Sequence, residues 1–336
     1  MFIGNHDITK KAYIVAEIGN NHEGDFELAK ELISAAKESG ADAVKFQTII
    51  PEGLVSVQQI NRINQLKKFS FTRDQFKELS EYANSKKIIF LSTAFCEESF
   101  KWIEDLVPAY KVSSGDNNFY HLLRIIAKKG KPIFLSTGLA DINQIKLSLE
   151  VIEDESRKLN ILPQIILLHC VSAYPTQINQ ANLLAIKALK EKFKVEVGYS
   201  DHTIGIDAAL IAYILGANLI EKHFTISKKY SEFRDHQLSA DPNDLKNLVQ
   251  KIRETELYLG VGEKTPQIDE IKISNSLRRS ITASRDIEKG EILLSSDLNW
   301  VRPGDGIPPG GENLLLGKRV IKKITKGEQI HIEALE

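Results

Sequence analysis

Short apolar runs alternate with amphipathic stretches along the chain as far as Gly260. The stretches repeat apolar residues at the i, i+3, i+4 and i+7 spacing of a helix, whereas the runs are short and β-prone. The runs predict eight strands: Tyr13–Ile18, Ala43–Gln47, Ile88–Thr93, Ala109–Ser113, Pro132–Ser136, Ile165–His169, Val195–Tyr199 and Leu219–His223. Eight strand–helix units predict an α/β fold, the (β/α)8 TIM barrel. A doubly wound open sheet is the alternative, but no G-x-G-x-x-G follows the first strand.

The first predicted helix shows the pattern that supports this interpretation. Its apolar face is formed by Ala29, Leu32, Ile33 and Ala36. Gly40 follows as the C′ residue, where glycine favours the end of a helix. The spacing therefore predicts one helix between the first two strands.

The pattern changes after Gly262. Residues 263–276 are polar and predict a linker that follows a barrel domain of residues 1–262. Residues 277–336 contain only short apolar pieces and many turn residues, as in Arg302-Pro303-Gly304. They predict a compact, mostly β module, and no long helix is expected there.

Charge and composition exclude several classes of protein. The 44 Lys and Arg residues nearly balance the 45 Asp and Glu residues, so the net charge of −1 gives no electrostatic reason to expect a nucleic acid or a membrane as a partner. No apolar stretch reaches the roughly 20 residues of a membrane-spanning helix, and residues 1–11 lack the apolar centre of a signal peptide. Cys96 and Cys170 lie in or beside predicted strands and are expected to be reduced core thiols. These features predict a soluble, cytoplasmic protein.

Polar side chains gather at the carboxyl ends of the predicted strands, which is the edge where TIM barrels place their chemistry. They include Glu17, Asn20, Asn21, His22, Lys45, Gln47, Thr93, Lys111, Ser113, Ser114, Asp116, Ser136, Thr137, His169, Ser172, Tyr174, Asp201, His202, Glu221 and His223. Because every strand ends in this way, the barrel is predicted to be an enzyme rather than a purely structural domain.

Lys45 and Lys111 are candidates for binding a phosphate, together with serine and threonine hydroxyls and loop amides. Each lysine is alternatively expected to pair with a carboxylate inside the barrel. A Schiff-base lysine is a further alternative. Glu17 is a candidate general acid or base, or the partner of one of the lysines in a salt bridge.

His202 and His223 end two successive predicted strands of one βαβ unit, so both imidazoles are expected at the same edge of the sheet. Neutral imidazole is a common metal ligand, and this pairing predicts a metal site; two hydrogen-bonded core histidines are the alternative. Asp201 and Glu221, which neighbour them in sequence, are candidates for a third ligand or for orienting the histidines. Mixed nitrogen and oxygen ligation with open positions suits Mn, Fe, Co or Zn.

Two further histidines have less specific signals. His169 ends the sixth strand and is either a site residue or a polar contact of that strand end. Asp235 and His236 follow the eighth strand, and they are either members of the site or a solvated loop pair.

Taken in order, these motifs resemble the sialic acid synthase family. The motifs of the barrel are Ala16-Glu17-Ile18-Gly19-Asn20-Asn21-His22-Glu23-Gly24, Val44-Lys45-Phe46-Gln47, Leu91-Ser92-Thr93, Tyr110-Lys111-Val112-Ser113-Ser114, Leu135-Ser136-Thr137-Gly138, Tyr174-Pro175-Thr176, Gly198-Tyr199-Ser200-Asp201-His202 and Glu221-Lys222-His223-Phe224. The tail, with Arg278-Arg279-Ser280 and Arg302-Pro303-Gly304, is similar to the antifreeze-like (SAF) domain of that family. The resemblance covers nearly the whole chain.

The resemblance implies an enzyme that condenses phosphoenolpyruvate with an acylated hexosamine. The usual product in the family is N-acetylneuraminate, made from N-acetylmannosamine. The implied cofactor is a divalent metal, first Mn²⁺ and alternatively Mg²⁺ or Co²⁺, held by residues that match His202 and His223. The implied assembly is a domain-swapped homodimer in which an arginine matching Arg302 reaches the acyl group of the acceptor sugar.

The resemblance also implies roles for other site residues. Phosphoenolpyruvate is bound by the residues that match Lys45, Lys111, Ser113 and Ser136, and Thr93 is assigned to substrate binding with them. The sugar and a catalytic water are surrounded by the residues that match Glu17, Gln47, Tyr174, Asn182 and Asp235.

One residue departs from the family pattern. Where many members have Ser-Gly-Glu, this chain has Ser114-Gly115-Asp116, so a carboxylate that contacts the acceptor sugar is one methylene shorter. Because of Asp116, the acceptor sugar is either N-acetylmannosamine or the precursor of legionaminate or pseudaminate.

Overall fold

The computed structural model of the protein describes residues 1–336 and contains a closed barrel of eight parallel strands. The strands are β3 (Tyr13–Gly19), β4 (Ala43–Thr48), β5 (Ile89–Ala94), β6 (Tyr110–Val112), β7 (Ile133–Ser136), β8 (Ile165–Cys170), β9 (Glu196–Asp201) and β10 (Leu219–His223). They follow one another around the barrel, and β10 closes it against β3. The predicted TIM barrel and its eight strands are confirmed. A short antiparallel pair that sequence reasoning missed, β1 (Phe2–Ile3) and β2 (His6–Asp7), precedes them.

Helices follow the barrel strands. They are α1 (Phe26–Glu38), α2 (Pro51–Leu54), α3 (Ile60–Phe69), α4 (Arg73–Ser85), α5 (Glu97–Ile103), α6 (Tyr120–Ala127), α7 (Ile142–Arg157), α8 (Ala185–Phe193), α9 (Asp207–Ile214), α10 (Arg234–Leu238) and α11 (Pro242–Leu259). Among the helices of the structure, none combines the length and the apolar character that crossing a bilayer requires.

Helix α1 shows how the local sequence sets these elements. Asp25 caps its start, because one carboxylate oxygen accepts hydrogen bonds from the amides of Glu27 and Leu28. The apolar face predicted from sequence is buried, and Gly40 follows with a φ of +91° that favours glycine. The capping residue and the glycine therefore fix the ends of the helix, while burial of its apolar face orients it.

Strand register places the polar strand ends side by side. His223 lies opposite Glu17 across β10 and β3, and Glu17 lies opposite Lys45 across β3 and β4. Thr93 of β5 lies opposite Lys111 of β6. Because the strands are parallel, all of these residues lie at the carboxyl edge of the barrel, as predicted.

The chain divides into two compact units, Met1–Gly260 and Val261–Glu336. The second unit contains α12 (Ile268–Leu277) and the antiparallel strands β11 (Ser280–Ala283) and β12 (Leu298–Val301). Its own core consists of Ile281, Ala283, Ile287, Leu293, Leu298, Leu315, Val320, Ile324, Ile330 and Ala334. The predicted small, mostly β module is confirmed for the part that follows α12.

Helix α12 differs from the linker that was predicted across residues 263–276. The Glu270 carboxylate accepts a hydrogen bond from the Gln267 amide at 2.7 Å, which completes a capping box. Lys272 and Asp269 form an ion pair one turn apart at 2.7 Å. These local contacts stabilise a helix that buries none of its residues, so its polar composition was a poor guide to its structure.

Gly198 gives a test of how tightly the barrel strands pack. A Cβ atom at this position would lie 2.6 Å from the Leu219 carbonyl oxygen of β10 and 2.6 Å from Leu168 Cδ2 of β8. We expect Gly198→Ala to lower the free energy of unfolding by about 1–3 kcal/mol, measured by urea denaturation, because strand backbone must shift. Gly115→Ala is the control, since its added methyl would meet only Ser113 Oγ at 3.8 Å. Equal stability of the two variants would contradict the close packing.

Candidate active site

Four buried charges lie together inside the barrel mouth. Lys45 Nζ is 2.8 Å from a carboxylate oxygen of Glu17 and 3.6 Å from one of Glu221. Lys111 Nζ is 3.7 Å from the other oxygen of Glu221. None of the four side chains is more than 6 % exposed. The predicted pairing of each lysine with a carboxylate is therefore present, and we call these four residues the charge cluster.

The lysines of the charge cluster also contact hydroxyl groups. Lys45 donates a hydrogen bond to Thr93 Oγ1 at 3.1 Å, and Lys111 donates one to Ser136 Oγ at 2.8 Å. Burial lowers the pKa of Lys111, and the negative charge of Glu221 offsets this effect only in part. For Lys45, the carboxylates of Glu17 and Glu221 outweigh the effect of burial, so its pKa is raised. Two cationic groups flanked by hydroxyls form an arrangement that suits an anion with several oxygens.

Asp116 lies in a 3₁₀ turn just beyond the end of β6. Its carboxylate accepts a hydrogen bond from Ser113 Oγ at 2.5 Å. Burial raises the pKa of Asp116, while Ser113 and Lys111 oppose the rise. The structure thus brings Ser113 and Asp116, both predicted site residues, together beside the charge cluster.

His202 and His223 approach each other as predicted, with ring centroids 5.3 Å apart. Tyr174 lies against both of them, at 4.2 Å and 6.0 Å between centroids. His202 Nδ1 donates a hydrogen bond to the Val171 carbonyl at 2.8 Å, which leaves Nε2 free to bind a ligand. His223 Nδ1 is buried without any hydrogen-bond partner. Both imidazoles therefore have a ring nitrogen that an additional group would satisfy.

The two histidines fit a catalytic metal better than a structural one. Burial lowers the pKa of His223 well below its ordinary value, and the nearby ammonium group of Lys45 lowers it further, so this imidazole is held in the neutral form that binds metals. No third histidine, cysteine or carboxylate completes a cluster with them. A metal bound here would retain open positions for substrate or water.

Neither of the two candidates for a third metal ligand joins the histidines. Glu221, a candidate third ligand, instead bridges the two lysines and accepts a hydrogen bond from Ser200 at 2.9 Å. Asp201, the other candidate, is 2.9 Å from Lys222 Nζ, and both side chains are fully buried.

Cys170 is a free thiol, as predicted. Its Sγ lies 3.7 Å from His202 Nδ1, so its surroundings are not purely apolar.

A cavity of about 600 Å³ opens beside His223, and this volume lies within the roughly 300–1,000 Å³ range of ligand sites. Five candidate residues from the sequence line it: Asn20, Gln47, Tyr174, His223 and Asp235. Gln47 also contacts Glu17 at 3.4 Å and accepts a hydrogen bond from Asn20 Nδ2 at 3.0 Å. Gln47 therefore lies both on the cavity wall and beside Glu17 of the charge cluster.

Much of the cavity wall was missed by sequence reasoning. It comes from α3 and from the segment around α10, and its residues are Arg62, Gln65, Leu66, Phe69, Glu232, Phe233 and Arg234. One signal was available: the connection between β4 and α4 is unusually long, and long connections after barrel strands commonly carry functional residues.

Three predicted or candidate residues lie elsewhere. Asn182 lines a different cavity, which it shares with His169. His169 Nε2 is hydrogen-bonded to the Ala181 carbonyl at 2.8 Å, so His169 takes the structural role that was its alternative. Arg302 is exposed and belongs to the second unit.

Comparison with known proteins gives matches along almost the whole chain. A model of the NeuB family matches residues 32–264, and a SAF domain model matches residues 278–336. The chain is 39% identical to the N,N'-diacetyllegionaminic acid synthase of Legionella pneumophila, over 96% of this chain and 95% of that protein. It is 36% identical to a pseudaminic acid synthase of Campylobacter jejuni, over 98% of each. The crystal structure of N-acetylneuraminic acid synthetase from Leptospira borgpetersenii superposes with a TM-score of 0.76 at 34% identity, covering 82% of this chain and 96% of that one.

The charge cluster predicts how stability depends on pH. Burial raises the pKa of Glu17 from 4.5 to about 7, although Lys45 opposes the rise. As the pH increases from 4.5 to about 7, the unfolded chain loses this proton while the folded protein keeps it, so the free energy of unfolding falls. We expect Glu17→Gln to lack this fall, which amounts to roughly 3 kcal/mol. Urea denaturation at closely spaced pH values between 5 and 8 measures it.

The exposed Glu98→Gln is the control and should keep the pH dependence of the wild-type protein. A difference between wild type and Glu17→Gln that does not change with pH would contradict the raised pKa.

Proposed function

The chain belongs to the NeuB family, and from this membership we propose that it condenses phosphoenolpyruvate with the open-chain form of an acylated hexosamine. The relatives it matches over nearly their full length are named as sialic, legionaminic and pseudaminic acid synthases, so the chain is a nonulosonate synthase. The products are a nonulosonate and inorganic phosphate.

One observation carries the proposal: two buried lysines and two histidines converge on a single barrel mouth. Lys45 and Lys111, with the hydroxyls of Thr93 and Ser136, provide an anion site of the kind that a phosphate ester needs. His223 lines the cavity, whereas the lysines and hydroxyls of this anion site do not. The proposed reaction needs one site for an enol phosphate and an adjacent site for a sugar aldehyde.

The residues of the charge cluster have distinct proposed tasks. Lys45 and Lys111 bind the phosphate oxygens and stabilise the negative charge that grows as the bond between C2 and the phosphate oxygen breaks. Glu17, whose pKa of about 7 lets it exchange a proton near neutral pH, takes the proton from the water that adds at C2. Glu221 balances the lysine charges when no phosphate is bound.

His202 and His223 would hold the divalent metal, for which Mn²⁺ is proposed first. When bound, such a metal supplies Lewis acidity for polarising a carbonyl group. Tyr174, which packs on both imidazoles, orients them and forms part of the acceptor cavity. Gln47 and Asp235 face the same cavity and are proposed to bind sugar hydroxyls.

The acceptor sugar is proposed to be N-acetylmannosamine or the corresponding precursor of legionaminate or pseudaminate. Asp116 remains the proposed contact that separates these acceptors, because its carboxylate is set back by one methylene relative to glutamate. Arg302 is proposed to reach the acyl group within a domain-swapped homodimer.

The first test is release of phosphate from phosphoenolpyruvate. We expect release only when an acylated hexosamine is present, and we expect EDTA to abolish it and added Mn²⁺ to restore it, because the histidines hold a required metal. A colorimetric phosphate assay with N-acetylmannosamine and with its 2,4-diacetamido-2,4,6-trideoxy counterpart measures this.

Borohydride with pyruvate is the control for the alternative chemistry, since a Schiff-base lysine would be trapped and would not need metal. Borohydride inactivation, or no phosphate release with either sugar, would contradict the proposed function.

The second test concerns the metal ligands. We expect His202→Ala to weaken Mn²⁺ binding by at least about tenfold, measured by isothermal titration calorimetry, because one of only two protein ligands is lost. His169→Ala is the matched control, since His169 is also buried and hydrogen-bonded to a backbone carbonyl but lines a different cavity. Equal Mn²⁺ affinity of the two variants would refute the ligand assignment.

A further inference from the structure

Glu23 joins two loops at the barrel mouth. It lies in the loop between β3 and α1, and one of its carboxylate oxygens accepts a hydrogen bond from His236 Nε2 at 2.9 Å. The same oxygen accepts a second hydrogen bond from Ser231 Oγ. Ser231 and His236 both belong to residues 230–236, which we call the 230–236 segment. A single carboxylate therefore fastens this segment near each of its ends.

His236 is well placed to act as an anchor. Its side chain has no exposed surface, and its other ring nitrogen is 2.6 Å from Thr225 Oγ1. The rings of Tyr230 and Phe233 lie 5.3 Å and 6.0 Å from its own. A buried imidazole with a partner on both nitrogens has one orientation available to it, which fixes the segment around it.

The 230–236 segment supplies one wall of the 600 Å³ cavity. Its residues Glu232, Phe233, Arg234 and Asp235 all line that cavity. Phe233 packs against Phe69 of α3 at 5.1 Å between ring centroids, so the segment also contacts the wall provided by α3. Displacement of the segment would change the shape of the cavity without touching the charge cluster.

The loop that carries Glu23 is itself held firmly. Glu23 has a φ of +48°, a conformation that residues other than glycine rarely adopt unless their surroundings impose it. The next residue, Gly24, has a φ of +86°, and a Cβ there would lie 2.0 Å from the Lys68 carbonyl oxygen. The Asn21 amide adds hydrogen bonds to the Phe224 carbonyl and to Ser239 Oγ, at 2.8 Å and 3.0 Å. The loop is thus a rigid support for the Glu23 carboxylate.

We propose that Glu23 and His236 are positioning residues for the acceptor sugar, because their contact holds the 230–236 segment as a wall of the acceptor cavity. This proposal rests on the proposed function, which places the acceptor in that cavity. Neither Glu23 nor His236 contacts the reacting atoms in this role. Their loss should weaken binding of the sugar and leave binding of phosphoenolpyruvate intact.

The kinetic test uses two substitutions at Glu23. We expect Glu23→Ala to raise the KM of the acylated hexosamine by about tenfold, since it removes a charge-assisted hydrogen bond, and to leave the KM of phosphoenolpyruvate within about twofold. Glu23→Gln should stay within about threefold of wild type for both substrates, because the amide oxygen still accepts both hydrogen bonds. Ser231→Ala, a milder change, should raise only the KM of the acceptor, by about threefold.

Hydrogen–deuterium exchange tests the same contact without depending on catalysis. Amides of the 230–236 segment should exchange faster in Glu23→Ala than in wild type or Glu23→Gln, because the segment has lost its anchor. Glu27→Ala, an exposed glutamate on α1, is the matched control and should change neither exchange nor KM.

The outcomes separate the two proposals. An unchanged acceptor KM in Glu23→Ala and Ser231→Ala, or an equal rise in both KM values, would overturn the positioning role. Unchanged exchange in the 230–236 segment of Glu23→Ala would also overturn the positioning role. This outcome does not depend on the proposed function, which fails separately if the wild-type protein releases no phosphate with any hexosamine.

Discussion

The pairing of β10 with β3 is the constraint on which the rest of the site depends. It brings the end of the eighth barrel strand against the first, so that His223 lies opposite Glu17, and the Phe224 amide donates a hydrogen bond to the Glu17 carbonyl at 2.7 Å. Without this closure His223 and Glu17 would lie at opposite edges of an open sheet. The barrel makes them neighbours, and the site is a consequence of that closure.

Closure also buries charge, which then has to be balanced. Lys45 and Lys111 are almost fully buried, and isolated ammonium groups would be very costly there. Glu17 and Glu221 offset their charge, and the two ammonium groups are the ones proposed to bind the phosphate. The same balance leaves Glu17 with a pKa near neutrality, which is the property that general acid–base chemistry needs. The same four side chains therefore balance the buried charge and carry the proposed chemistry.

The cavity beside the histidines has a different origin. Its outer wall is built from α3 and from residues around α10, which lie in the connections and not in the barrel strands. Such connections vary without disturbing the barrel, and this suits a family whose members act on different acylated sugars. The side chains proposed to bind phosphate lie on strands, whereas those that line the cavity lie largely in the connections.

The sequence by itself determined the barrel, its eight strands, the small second domain and the set of polar strand ends, because these follow from local spacing of apolar residues and from capping and turn residues. It could also bring Lys45, Lys111, His202 and His223 to one edge, since parallel strands leave no other place for them. It could not decide which partner each charge would take. Glu221 pairs with Lys45 and Lys111, whereas Asp201 pairs with Lys222. These pairings depend on how the strands pack in the barrel. The loops that complete the cavity depend on contacts between residues about 200 positions apart, such as Glu23 with His236, and no local pattern encodes such contacts.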